Sequence, residues 1–176
     1  MVHARACRGF SLLELVVVVI AVAILTGVVL DRVLPLIGRA QRAAFFDVQR
    51  ELQSSLRLAA AERIAGGESG RVFELASVNP MSLLFAPPSN YLGVRTASEQ
   101  AEVPPGTWYF DEQLGRLGYR VGRYARFAAQ GGPEDRIELT VAFLYDDRDA
   151  DGAFDAADDA FEGLTLEPLH AYQWPD

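Results

Sequence analysis

The fold of this chain is decided by residues 8–30, which read RGFSLLELVVVVIAVAILTGVVL. From Phe10 to Leu30 there are 21 residues, and Glu14 carries their only charge. A helix of that length measures about 31 Å, which is enough to cross the hydrocarbon core of a bilayer. A carboxylate inside such a span is unfavourable in lipid, so Glu14 is expected to have a function. The sequence therefore predicts a membrane helix over residues 10–30.

The residues Gly9-Phe10-Ser11-Leu12-Leu13-Glu14 resemble the prepilin peptidase site of type IV pilins and type II secretion pseudopilins. In that family the leader is cut after the glycine, and the new N-terminal phenylalanine is N-methylated. The resemblance implies a leader over residues 1–9 that ends at Gly9, a methylated terminus at Phe10, and Glu14 as the family glutamate. It also implies three kinds of partner, namely prepilin peptidase, other pilin or pseudopilin subunits and an inner-membrane assembly platform.

Glu14 has a physical role in such an assembly. A terminal ammonium and a carboxylate are each costly alone in an apolar environment, but pairing them across subunits offsets much of that cost and fixes the axial register. We therefore expect Glu14 to pair with the amine of Phe10 on a neighbouring subunit.

Two other interpretations of the first 30 residues are open. An ordinary signal peptide would use Arg5 and Arg8 as its basic region and residues 21–23, Ala-Val-Ala, as its cleavage site. The apolar run continues to Leu30, however, and Glu14 interrupts it. A plain single-pass anchor would leave Glu14 as a cost without a purpose. The arginines of the leader predict that it stays in the cytoplasm, with the remainder in the periplasm.

Composition fits one membrane helix followed by one modest domain of a 176-residue chain. The net charge is −8, and loss of Arg5 and Arg8 with the leader would take it to −10. Such a charge argues against nucleic acid as a partner, because phosphates would repel the domain. The only cysteine, Cys7, lies in the leader, so the mature protein would have no disulfide. Many pilins of the resembled family have a C-terminal disulfide, and this departure argues against an adhesive pilin.

Beyond Leu30 the helical pattern becomes amphipathic and runs to Gly66-Gly67, so residues 31–66 are predicted to form a soluble half of the same helix. Pro35 and Gly38 interrupt the pattern just past the membrane. They would form either a flexible joint or a tolerated kink.

Residues 67–176 are predicted to form a periplasmic α/β pilin-like domain. Asn79-Pro80 starts a short helix to Phe85, and residues 86–90 read as a loop. Residues 107–110 and 117–121 read as a hairpin, and residues 136–145 alternate as a strand with Ile137, Leu139, Val141, Phe143 and Tyr145 on one face. The fold class is therefore α+β, a long N-terminal helix with an antiparallel sheet packed on its soluble half. The resemblance implies the same fold.

An acidic loop follows, residues 147–158, which reads DRDADGAFDAAD. Carboxylates stand at loop positions 1, 3, 5, 9 and 12 and a glycine at position 6, which is the spacing of a calcium loop. The predicted ligands are Asp147, Asp149, Asp151, Ala153, Asp155 and Asp158. Position 12 is aspartate rather than glutamate and no second helix follows, so an isolated, weak calcium site is expected. Major pseudopilins are known as a group for calcium in this region. A solvated acidic turn is the other interpretation.

No nucleophile–base pair, phosphate loop or histidine cluster indicates an enzyme, and after cleavage His170 is the only histidine. The pattern favours a filament subunit, most of all a type II secretion pseudopilin involved in protein export. A minor type IV pilin is the first alternative. A membrane-anchored calcium-binding domain that never polymerises is the second.

Overall fold

The structure is a computed structural model, and it describes residues 11–155 and 157–175. Its first element is one continuous helix, α1, over Leu12–Ala65. Ser11 caps its start, because the Ser11 hydroxyl accepts a hydrogen bond from the Glu14 N–H at 3.2 Å. Gly66 is its C-terminal cap and donates its N–H to the Glu62 carbonyl at 2.9 Å. The predicted long helix, apolar first and amphipathic afterwards, is confirmed.

The two halves of α1 have different surroundings. Leu12 to Leu30 are all exposed, and the first buried residue of the helix is Gly38. Of the described residues, α1 alone forms a helix long and apolar enough to cross a membrane, and its most apolar 18-residue window has a mean hydropathy of 2.9. Pro35 lies inside α1, which continues through it as an α-helix. Gly38 serves packing, since a Cβ there would come closer than 3.0 Å to the Tyr124 carbonyl oxygen.

In the part of the chain that the structure describes, seven strands follow α1: β1 (Tyr91–Val94), β2 (Trp108–Asp111), β3 (Arg116–Arg120), β4 (Ala128–Ala129), β5 (Arg136–Asp146), β6 (Ala160–Pro168) and β7 (Tyr172–Gln173). Five of them form a sheet in the order β1-β2-β3-β5-β6, while β4 and β7 form a separate antiparallel pair. The predicted hairpin is β2–β3, and the predicted alternating strand is β5. The α+β class is confirmed.

The sheet is antiparallel as predicted except at one edge. β1 pairs with β2 in parallel, with Tyr91 opposite Trp108. The chain leaves β1, makes a 3₁₀ turn over Glu99–Glu102 and returns to the same end of the sheet before it enters β2. A crossover of that length allows parallel pairing, which a tight turn does not.

Two further 3₁₀ segments connect α1 to the sheet, over Ser69–Ser77 and Pro80–Leu83. The second replaces the helix predicted to reach Phe85. Asn79 starts it as expected, because its side chain accepts a hydrogen bond from the Met81 N–H at 3.1 Å. It ends early because Leu84 is already extended.

The core lies between the soluble half of α1 and the concave face of the sheet. Phe45, which is fully buried, stacks on Trp108 with ring centroids 5.0 Å apart and an interplanar angle of 4°. Tyr119 and Trp174 surround the same ring at 5.1 and 5.3 Å. Gln53 fixes β6 to the helix, since its side chain donates to the Leu164 carbonyl at 2.6 Å and accepts from the Leu166 N–H at 2.8 Å. Helix and sheet therefore form one body.

Candidate functional site

The first candidate site is the N-terminal end of α1. Gly9 and Phe10, the predicted cleavage and methylation positions, lie outside the described residues. Glu14 lies in the first turn of the helix, and its neighbours Leu12, Leu13 and Leu15 are exposed to 81%, 75% and 58%. A helix that is apolar on every side requires an apolar environment. Glu14, the only carboxylate between Leu12 and Leu30, would therefore need a cationic partner there.

The second candidate site is the loop that joins β5 to β6. Two residues in it have left-handed backbone conformations, Ala150 with φ of 59° and Gly152 with φ of 80°. Glycine reaches this region without strain, and it stands at the sixth loop position, where the chain must turn sharply. These turns fold the loop back on its own first residues.

Three of the six predicted ligands converge. Asp147, Asp149 and Asp151 each offer an oxygen, and these oxygens lie within 4.8 Å of one another. Backbone N–H groups orient the carboxylates: Gly152 donates to Asp147 Oδ2 at 3.0 Å, and Ala153 donates to Asp151 Oδ1 at 2.7 Å. Asp147 Oδ1 is buried and has no hydrogen-bond donor in the described part of the chain. Hard oxygen donors that meet at one point, one of them without a partner, fit a calcium ion.

The other three predicted ligands are placed differently. Asp155 is exposed and accepts a hydrogen bond from the Ala157 N–H at 2.9 Å, and Ala153 and Asp158 are exposed. The carboxylate that turns into the loop is the next residue, Asp159, which is 9% exposed. It accepts from the Arg148 N–H at 3.0 Å and from the Asp155 N–H at 2.9 Å, and so ties the two ends of the loop together. Sequence reasoning missed Asp159, because its inward position depends on where β6 begins, and β6 was not predicted.

The crowding of negative charge changes the titration of the loop. The pKa of Asp149 is raised overall: a hydrogen bond from the Asp151 N–H lowers it, but desolvation and the charges of Asp151 and Asp159 outweigh that bond. The pKa of Tyr145, at the end of β5, is raised by desolvation and by the same carboxylates. A bound cation would reverse both electrostatic contributions.

An aromatic anchor holds the loop on the sheet. Phe154 packs edge-on against Phe143, with ring centroids 4.8 Å apart, and against Tyr145 at 5.6 Å. Phe143 also contacts Phe161 of β6 at 5.3 Å. These contacts couple the conformation of the loop to the pairing of β5 with β6.

The chain has a long helix with an exposed apolar half, and a sheet packs on the other half of this helix. This architecture is that of a pilin-like protein with a membrane-capable N-terminal segment. Residues 4–30 match the family model described as the prokaryotic N-terminal methylation motif. The chain therefore carries a prepilin motif of the type IV pilin and pseudopilin kind, and this motif supports a pilin-like subunit that is processed by prepilin peptidase and assembles with other pilin subunits. It has no significant match among curated proteins or among solved structures.

Proposed function

We propose that this protein is a pseudopilin of a type II secretion system, a filament subunit involved in protein export. The observation that carries the proposal is the methylation motif over residues 4–30, joined to one unbroken helix that reaches the soluble domain. A continuous helix allows copies to stack through their first halves while each second half holds its own sheet. The leader would end at Gly9, and Phe10 would be the methylated terminus.

In this proposal Glu14 sets the register of assembly. It is the only charged residue among the 19 described positions that reach from Leu12 to Leu30. The amine of Phe10 on an adjacent subunit would provide the cation that Glu14 lacks, because an unpaired charge in an apolar bundle is costly. Each subunit would then be displaced along the filament axis from its neighbour by the distance between the Phe10 amine and the Glu14 carboxylate. The same displacement would repeat along the filament.

Calcium is the proposed structural cofactor. Asp147, Asp149 and Asp151 would hold the ion, and Asp155 and the Ala153 carbonyl would complete its oxygen shell after a local adjustment. The ion would supply positive charge that offsets the repulsion among these carboxylates. It would brace a loop that no disulfide can brace, since the mature chain has no cysteine. A calcium loop in place of a disulfide favours a pseudopilin over a minor type IV pilin.

The proposed location is the inner membrane, with residues 31–176 in the periplasm. Arginine asymmetry alone does not fix this orientation, because Arg32, Arg39 and Arg42 follow the apolar segment as Arg5 and Arg8 precede it. The orientation rests on the prepilin motif, since its leader is the cytoplasmic part of such a protein.

The test begins with mass spectrometry of the protein from its native host, which should show a chain that begins with N-methylated phenylalanine at Phe10. Glu14→Ala should then insert in the membrane but fail to crosslink to neighbouring subunits. Glu51→Ala is the matched control, because Glu51 is an exposed glutamate on the soluble half of α1. An intact leader, or normal assembly of Glu14→Ala, would refute the filament role.

Deletion of the gene separates a secretion pseudopilin from a minor type IV pilin. The proposal expects loss of exported proteins from the medium while surface pili and twitching motility are retained. The opposite result would assign the chain to a type IV pilus.

A further inference from the structure

A cleft lies where α1 leaves the domain on the side of its apolar half. Its volume is about 320 Å³, and it is lined by Pro35, Gly38, Arg39, Tyr124, Arg126, Trp174 and Pro175. Among the described residues, this lining contains two arginines and no acid. In a chain with a net charge of −8, that is an unusual concentration of positive charge.

Within residues 11–155 and 157–175, the arginines of the cleft have no acidic partner. Other arginines, Arg63 and Arg120 among them, form ion pairs with nearby carboxylates. Arg39 and Arg126 are exposed and form neither an ion pair nor a hydrogen bond with any residue in the described ranges. The same holds for Arg32, which lies seven residues before Arg39 and hence on the same face of α1. Their positive charge is available to an external anion.

The loop that bears Arg126 is held firmly against the helix. The Gly122 N–H donates to Gln41 Oε1 at 3.1 Å, and the Tyr124 carbonyl approaches the bare Cα of Gly38. No earlier residue of α1 is buried against the domain within the described part of the chain. The cleft therefore lies at the end of the domain that is closest to the apolar half of α1.

The cleft lies close enough to the apolar segment for its arginine side chains to reach a lipid headgroup layer. At 1.5 Å per residue, the Cα of Arg39 lies about 13 Å beyond Leu30 and that of Arg32 about 3 Å. The headgroup region extends about 5–8 Å past the hydrocarbon core on each side. Helical side chains lean toward the N-terminus, which here is toward the membrane, so we expect the Arg39 guanidinium to extend back toward this layer. Tyr124, half exposed at the mouth of the cleft, is a residue type that is enriched at such interfaces.

We propose that this cleft binds the phosphate group of an anionic phospholipid and so holds the domain against the bilayer surface before the subunit is extracted into a filament. Arg39 and Arg126 would contact the phosphate from two sides, and Arg32 would add to the local positive potential. The inference rests on the membrane anchoring of α1 and does not require that the subunit polymerises.

The test uses the full mature chain in micelles of an uncharged detergent, so that assembly plays no part. The micelles are doped with phosphatidylglycerol or with phosphatidylcholine, and the lipid retained by the protein is measured by native mass spectrometry. Preferential retention of phosphatidylglycerol is expected. Replacing both cleft arginines, by Arg39→Gln with Arg126→Gln, should weaken it about 25-fold, or about fivefold per arginine.

Arg57→Gln is the matched control, because Arg57 is also an exposed arginine of α1, has no ion pair or hydrogen bond with any described residue, and lies about 27 Å further from the membrane. It should retain wild-type affinity, and thermal unfolding of all three proteins should coincide. Equal retention of the two lipids, or equal loss in Arg57→Gln, would overturn the proposal. Competition by millimolar inorganic phosphate would show a free-anion site instead. If the double variant kept its lipid affinity but lost crosslinks between copies, the arginines would belong to a protein contact.

Discussion

Asp147→Asn tests whether the acidic loop is built for a cation. Asp147 lies at the centre of the cluster, and one of its oxygens accepts the Gly152 N–H while the other is buried without a donor. Asparagine preserves the first hydrogen bond and removes the charge. Without calcium, the substitution should leave the stability of the domain unchanged or raise it, because one of three adjacent carboxylates is neutralised. With calcium, the variant should be the less stable protein.

The size of the calcium effect follows from linkage. Sites of this exposed, extracellular kind have dissociation constants of about 10⁻⁴ to 10⁻³ M. At about 10 mM calcium, binding to the folded state alone then stabilises it by about 1.4–2.7 kcal/mol. For a chain of 176 residues this corresponds to a rise in melting temperature of about 3–11 °C. Asp147→Asn should lose most of that rise.

The assay is thermal unfolding of the full chain in detergent, followed by tryptophan fluorescence, in chelator and in calcium. Magnesium at the same concentration controls for ionic strength. Asp158→Asn is the matched substitution, because Asp158 is exposed in the same loop, and it should keep the wild-type response to calcium. A wild-type melting temperature that calcium and chelator leave unchanged would refute the cation site. A loss of response in Asp158→Asn, but not in Asp147→Asn, would refute the ligand assignment.

Two further outcomes follow from the core and from the titration of the loop. Phe45→Ala should lower the free energy of unfolding in urea by about 3–5 kcal/mol, because it removes a fully buried ring from the stack on Trp108. Phe46→Ala, at the rim of the core, should lower it clearly less. Equal losses in the two variants would contradict the core described above. The raised pKa of Asp149 means that the folded loop without metal disfavours the ionised carboxylate, so this group's contribution to stability falls as the pH rises through its pKa. Calcium needs that ionised form, so the calcium-induced rise in melting temperature should grow as the pH rises through the same range and disappear below it. A calcium effect that is constant from acid to neutral pH would exclude Asp149 as a ligand.

Local patterns predicted much of the fold. The apolar run and its amphipathic continuation determine α1 because helical periodicity is a property of neighbouring residues. The β2–β3 hairpin and β5 follow from alternation and a short turn, which are equally local. β6 was not predicted, because Glu162, Gly163 and Pro168 weaken its alternation. It is a strand because β5 offers a long partner and Gln53 satisfies peptide groups at its outer edge.

The candidate site was likewise predicted in part from local sequence and decided in part by tertiary contacts. Spacing alone indicated Asp147, Asp149 and Asp151 as one group, since alternate residues of a tight loop point the same way. It could not decide between Asp158 and Asp159, because a shift of one residue depends on where β6 begins to pair. The cleft of Arg39 and Arg126 was also beyond sequence reasoning, since 87 residues separate the two arginines along the chain. The methylation motif, the membrane-length helix and the acidic loop are properties of the sequence itself, because each depends on neighbours along the chain. The parallel edge strand, the inward Asp159 and the arginine cleft were decided by tertiary structure, because each depends on which distant segments pack together.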